Sequence, residues 1–162
     1  MRIQLSLLLA FMLVSTLGIR AVQAAQQPKK PTFTIQISMP QTVIERGAPA
    51  TIKATFINTS DHDIFESIGT PGRAINIKVF SGNKPVPETP YGLKAHGRDS
   101  RPFVGSVFRA AIRPGKLFKV EADLSKEYDL SKPGKYTVQA ERWDSDIHQM
   151  VESNTITITV TQ

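Results

Sequence analysis

Leu130-Ser131-Lys132-Pro133-Gly134-Lys135-Tyr136-Thr137-Val138-Gln139-Ala140, followed by Ser153-Asn154-Thr155-Ile156-Thr157-Ile158-Thr159-Val160-Thr161, is the stretch that decides the fold. Pro133 and Gly134 are turn residues, because proline presets φ and glycine relieves the crowding that follows. Behind them Tyr136, Val138 and Ala140 fall on one parity, and Thr137, Gln139 and Glu141 on the other. The closing run repeats the alternation, with Ile156, Ile158 and Val160 inward and Thr155, Thr157, Thr159 and Thr161 outward. Period-two alternation with β-branched residues is the signature of a half-buried strand.

The same period recurs upstream. Phe33, Ile35, Ile37 and Met39 alternate with polar residues until Pro40, and Glu45 to Pro49 is a turn. Ala50 to Asn58 alternates through Ile52, Ala54 and Phe56, and Asn58 to Asp63 is a polar loop of residues that bond their own backbone. Ile64 to Ile68 is a short strand candidate, stopped by Thr70-Pro71-Gly72, and Ile75, Ile77 and Val79 mark a clearer one, turned by Ser81-Gly82-Asn83. Periodicity lapses from Lys84 to Phe103, and Val104 to Ile112 returns to strand. Arg113-Pro114-Gly115-Lys116 is a strong turn before a strand over Leu117 to Leu124, and Ser125 to Leu130 has room for one helical turn. A strand over Lys135 to Arg142, a loop over Asp144 to Gln149 and a last strand over Glu152 to Thr161 complete the chain. Seven to eight short strands without a long amphipathic helix predict an all-β sandwich or barrel. The predicted core is Phe33, Ile35, Ile37, Ile52, Phe56, Ile77, Val79, Phe118, Val120, Tyr136, Val138, Ile156, Ile158 and Val160.

The pattern Leu-x-x-x-Gly-x-Tyr-x-Val over Leu130 to Val138 resembles the corner of immunoglobulin-like domains, in which a tyrosine hydroxyl folds back onto the backbone. Tyr136 matches that tyrosine. Val138 stands where antibody domains place a disulfide cysteine. The stretches TFINTSDHDI, IRPGKLF, DLSKEYDLSKPGKYTVQAERW and SNTITITV resemble exported bacterial immunoglobulin-like domains of unassigned function. Their order is also similar to the non-catalytic N-terminal segment of deuterolysin-type metalloproteases, although the His-Glu-x-x-His helix of the catalytic half is absent from this sequence. The resemblance implies an immunoglobulin-like antiparallel β-sandwich of seven to eight strands.

The N-terminus predicts an address. Arg2 supplies a charge, Ile3 to Ile19 is almost wholly apolar or small, and Val22-Gln23-Ala24 is a small-residue exit. These are the three parts of a secretory signal peptide, cleaved after Ala24 or its neighbour Ala25. The alternative, an uncleaved anchor, wants about 20 apolar residues, and Arg20 interrupts the run. The expected organisation is a signal peptide over 1–24, a tether over 25–32 and one sandwich domain over 33–162. Losing Arg2 and Arg20 lowers the net charge from +6 to +4, a mild excess that does not point to nucleic acid. With no cysteine, the domain has no disulfides and depends on its core. The expected setting is the periplasm or the secreted medium, with no membrane span after cleavage.

No nucleophile elbow, phosphate-cradling loop or catalytic constellation is visible, so neither an enzyme nor a cofactor is expected. Asp61-His62-Asp63 and Asp144-x-Asp146-x-His148 carry metal-ligand residue types. Adjacent residues of an extended segment point to opposite sides, whereas alternate ones can converge, so Asp144, Asp146 and His148 are the better metal candidates. For both sets the plain alternative is a solvated turn. Trp143, the sole tryptophan, has the outward parity of its strand; it either offers a ring to a sugar or partner, or covers the core rim where the strand bends. The Lys84–Phe103 segment carries Tyr91, Lys94, His96, Arg98 and Arg101, and from Lys84 to Lys119 eight basic residues face two acidic ones. A long basic loop suits an acidic partner surface or is a solvated insertion. The function expected is a non-enzymatic binding module of the cell envelope that contacts an extracytoplasmic protein or polysaccharide through Tyr91, Lys94, His96, Arg98, Arg101 and Trp143. The alternative, implied by the protease resemblance, is a domain that regulates a protease in trans.

Overall fold

The computed structural model describes residues 29–68, 75–99 and 108–162. Among these described residues, eleven strands and two short helices follow in the order β1 (Phe33–Ser38), β2 (Val43–Glu45), β3 (Thr51–Asn58), β4 (Ile64–Ile68), β5 (Asn76–Ser81), β6 (Lys84–Pro85), α1 (Pro90–Ala95), β7 (Phe108–Ile112), β8 (Leu117–Asp123), α2 (Leu124–Glu127), β9 (Gly134–Asp144), β10 (Gln149–Glu152) and β11 (Ile156–Thr161). One sheet runs β1-β3-β8, the other β2-β11-β9-β5-β6 with β10 also on β9, and β4 pairs with β7 in a separate ribbon. The fold is an all-β, immunoglobulin-like sandwich. All pairings are antiparallel except β2 with β11, which is parallel. The count exceeds the expected seven to eight because several strands are only two to four residues long.

The core lies between the two larger sheets. Phe33, Ile35, Ile37, Ile52, Ala54, Phe56, Val120 and Ala122 from one sheet meet Ile77, Val79, Tyr136, Val138, Ala140, Ile158 and Val160 from the other. Phe56 and Val138 are fully buried. Phe118 and Ile156, expected inside, are only partly buried and pack against this core. For Phe118 the reason is that β8 pairs with β3 alone among the described strands, so one flank stays open. The Tyr136 hydroxyl donates to the carbonyl of Lys132 at 2.5 Å, the corner predicted from sequence. Gly115 takes a φ of +71° and the Lys116 N–H donates to the Arg113 carbonyl at 3.0 Å, closing the Pro114-Gly115 turn.

The expected single strand over Glu152 to Thr161 is divided into β10 and β11. Side chains take over from backbone at the break: the Ser153 hydroxyl accepts from Ala140 N–H at 2.9 Å, and Asn154 accepts from Ile37 N–H and donates to its carbonyl. The end of the expected tether is docked, since Thr32 is buried and Pro31 accepts from the Thr59 hydroxyl.

The Lys84–Phe103 segment is not an open loop over its described part. It covers the edge of β5: β6 pairs with Phe80 and Ser81, Val86 N–H donates to the Val79 carbonyl at 2.8 Å, and Tyr128 from the end of α2 donates its hydroxyl to Ile77. A covered edge cannot template pairing with another chain. Thr89 caps α1 by accepting from Gly92 N–H at 3.0 Å, with Pro90 in the first helical position. Gly92 is required by close approach, because a Cβ there would sit 2.1 Å from the Glu127 carbonyl oxygen.

Candidate functional site

Two groups of polar side chains lie outside the core. The first joins α1 to α2. His96, with its side chain only 2% exposed, sets Nδ1 2.7 Å from Glu88 Oε1 and Nε2 3.3 Å from Glu127 Oε2. Arg98 donates to Glu88 at 2.5 Å and to Asn76 Oδ1 at 2.6 Å. Asn76 in turn donates to Glu141 at 2.7 Å, and Glu141 pairs with Lys78. The Tyr128 ring lies 5.9 Å from the imidazole. Both ring nitrogens face carboxylates, so the imidazolium satisfies the pocket. The hydrogen bond to Glu127 raises the His96 pKa; burial opposes this, and Glu88 adds to it.

These contacts change the reading of the basic segment. His96 and Arg98, expected as ligand contacts, are committed to internal carboxylates. Tyr91 and Lys94 stay exposed on α1. Arg101 lies outside the described residues. Lys84 to Phe103 is the expected basic binding loop, but within it His96 and Arg98 are met by carboxylates, Glu88 inside the segment and Glu127 31 residues beyond His96.

The second group lies at the C-terminal end of β9, where the β9–β10 turn meets the Asn58–Asp63 loop and the β4–β7 ribbon. Two buried side chains build it. Asn58 accepts from Ser60 N–H at 2.9 Å and donates to the carbonyls of His62, at 2.8 Å, and Ile112, at 2.7 Å, tying loop to ribbon. Asp144 accepts from Thr32 N–H at 2.8 Å and its hydroxyl at 2.9 Å, and from Asp146 N–H at 3.0 Å, tying turn to β1. Burial pushes the Asp144 pKa up, but the bonds from Thr32, Asp146 and Ile147 outweigh it and hold the carboxyl below its ordinary value.

Between these supports opens a cleft of about 460 Å³, whose lining includes Phe65, Arg109, Trp143, Asp63 and Asp146. Trp143 is 54% exposed and Phe65 61%. Trp143 therefore keeps its outward parity. It stands directly opposite Met150 in the β9–β10 register, and the His148 ring lies 6.4 Å away. Phe65 pairs with Ala111 and Ser67 with Arg109, which places Phe65 and Arg109 on one face of the ribbon. At the rim His62 bridges Asp61 at 2.9 Å and Asp146 at 2.7 Å. The hydrogen bonds to Asp61 and Asp146 raise the His62 pKa.

Asp144, Asp146 and His148, the weaker metal reading beside that of a solvated turn, face three different partners: Asp144 accepts from Thr32, Asp146 pairs with His62, and the His148 ring lies 6.4 Å from Trp143. The adjacent carboxylate candidate Asp61 uses its side chain on His62, while Asp63 lines the cleft. Among the described residues no group of three or more His, Asp or Glu side chains is placed to hold a metal ion. The inward position of Asp144 was legible in the sequence, since it shares parity with Tyr136, Val138 and Ala140; residue type drew the reading away from periodicity. Phe65, Arg109 and Asn58 went unsingled as site residues because nothing local marks them.

No family model matches the chain, and no curated protein matches it. Among solved structures it is similar to the CARDB domain of the PF1109 protein from Pyrococcus furiosus, at 11% identity and a TM-score of 0.46, over 82% of this chain and 90% of that one. It is also similar to part of a β-glucosidase from Listeria innocua, at 16% identity and a TM-score of 0.45, over 82% of this chain and 16% of that one. The β-glucosidase EmGH1 from Erythrobacter marinus is matched at 13% identity and a TM-score of 0.46, over 81% of this chain and 16% of that one.

Proposed function

We propose that the chain is an exported, non-enzymatic binding module of the cell envelope that takes its ligand in the Trp143 cleft. The observation that carries this reading is a single tryptophan held outward at the rim of a cleft whose walls are fixed by buried Asn58 and Asp144. Leaving an indole half in water forgoes the burial it would gain in the core, and rigid exposed aromatics are common anchors of recognition. Export is supported by the charged, apolar and small-residue pattern of the first 24 residues. No observation in the fold favours the protease-regulating alternative.

The test is affinity capture from envelope and culture extracts, with the full chain, Trp143→Ala and the double variant Tyr91→Ala/Lys94→Ala as baits. A partner or polysaccharide held by the first and third and lost by the second supports the cleft. Loss only with the α1 variant moves the site to the basic segment. N-terminal sequencing of the recovered protein checks export, with a first residue of Ala25 or Gln26 expected.

A further inference from the structure

We infer that the Trp143 cleft binds a neutral oligosaccharide chain, with Trp143 as the stacking platform and Arg109, Asp63 and Asp146 as the groups that read ring hydroxyls. This rests on the binding-module reading above and adds the ligand class.

Three observations carry it. First, the cleft combines two exposed aromatic side chains, Trp143 and Phe65, with polar side chains around them. A pyranose presents the same combination in reverse: a C–H face that packs on an aromatic ring, and a rim of hydroxyls that both donate and accept. Arg109 offers donors only, and the carboxylates of Asp63 and Asp146 offer acceptors only, so the lining meets both halves of a hydroxyl.

Second, the lining carries charges of both signs. Asp63, Asp144 and Asp146 lie beside Arg109 and Arg142, and the His62 ring sits between Asp61 and Asp146 at the rim. A polyanion would meet the carboxylates and a polycation the arginines, while a neutral ligand meets no like charge. Third, the size and openness of the site suit a chain of sugars lying across it. At about 460 Å³ it falls in the range of small-molecule sites. Trp143 and Met150 project side by side from paired strands, which extends the platform past the cleft rim.

The sole tryptophan makes the test direct. The full chain, expressed with its own leader and purified from the compartment it reaches, is titrated with cellohexaose, chitohexaose, maltohexaose and xylohexaose while Trp emission is followed. Heparin, alginate and a mixed peptide pool serve as comparison ligands, and calorimetry repeats each titration. The expected result is a saturable change in emission with at least one neutral hexasaccharide. Affinity by calorimetry should fall about tenfold or more in Trp143→Ala, less in Trp143→Phe, and measurably in Arg109→Ala, with melting temperatures close to the parent. No response to any of the four neutral chains overturns the inference, as does saturable binding confined to the polyanions or peptides. Binding that survives Trp143→Ala unchanged overturns it too. The assignment of binding to the cleft fails separately, when capture is the same with and without Trp143; a protein captured only when Trp143 is present keeps that assignment and rejects the glycan.

Discussion

The His96 clamp and the Trp143 cleft contain similar side chains and use them in opposite ways. At the clamp, a histidine, an arginine and two glutamates close on one another with the imidazole out of solvent: His96 joins the end of α1 to Glu127 of α2, and Arg98 ties Glu88 to Asn76 of β5. At the cleft, the buried polar atoms of Asn58 and Asp144 are spent on structure and His62 pairs with Asp61 and Asp146 at the rim, while Phe65 and Trp143 are left facing water. Exposed charge alone is a poor guide to a site. The segment richest in basic residues has its described histidine and one of its arginines satisfied internally, whereas the cleft carries charges of both signs and has a hydrophobic surface standing in solvent. What marks a binding surface here is a buried polar scaffold beneath exposed rings.

The sharpest way to break the comparison is at the clamp. His96→Ala leaves Glu88 and Glu127 buried without their shared cation, a loss expected to cost about 3 kcal/mol and to lower Tm by roughly 10 °C in thermal melts. Next comes Gly92→Ala, whose Cβ would press on the Glu127 carbonyl and force α1 off α2, for about 2 kcal/mol by denaturant titration. Asp144→Ala removes the acceptor of Thr32 and of the β9–β10 turn and should cost about 2 kcal/mol, with weaker cleft binding as well. Trp143→Ala should shift stability by less than about 0.5 kcal/mol, because the ring is half exposed. A large loss of stability in Trp143→Ala, or none in His96→Ala, would reverse the assignment of the two regions.

The pH dependence separates them by sign. The His96 pKa is raised on folding, so its contribution is complete below about pH 6.5 and is lost as pH rises through the folded value. The Asp144 pKa is lowered, so its contribution is complete above its ordinary value and is lost as pH falls through the folded value. Melting curves from about pH 2 to 9 should therefore show an alkaline loss that flattens in His96→Gln. The acid loss should flatten instead in Asp144→Asn. An alkaline slope unchanged by His96→Gln would remove the histidine from the clamp's energetics.

Much of the sandwich was legible in the chain, because strand parity and turn chemistry are local. Tyr136 folds onto Lys132 four residues away, Pro114-Gly115 closes its own turn, and Trp143 keeps the outward side its parity gives it. The extra short strands were not legible: β2, β6 and β10 are too short to display a period.

By itself, then, the sequence determined the all-β class and most of the core, since both follow from side-chain alternation within a few residues; it left Trp143 between an outward ring and a cover of the core rim. Only the tertiary structure decided which polar residues are spent and which are available. Thr32 meets Asp144 across 112 residues, Asn58 reaches Ile112 across 54, and His96 finds Glu127 across 31. A charge in the sequence has no partner until the chain folds, and burial and pairing between distant segments are what turn an apparent ligand contact into a clamp and a loop aspartate into the support of a cleft.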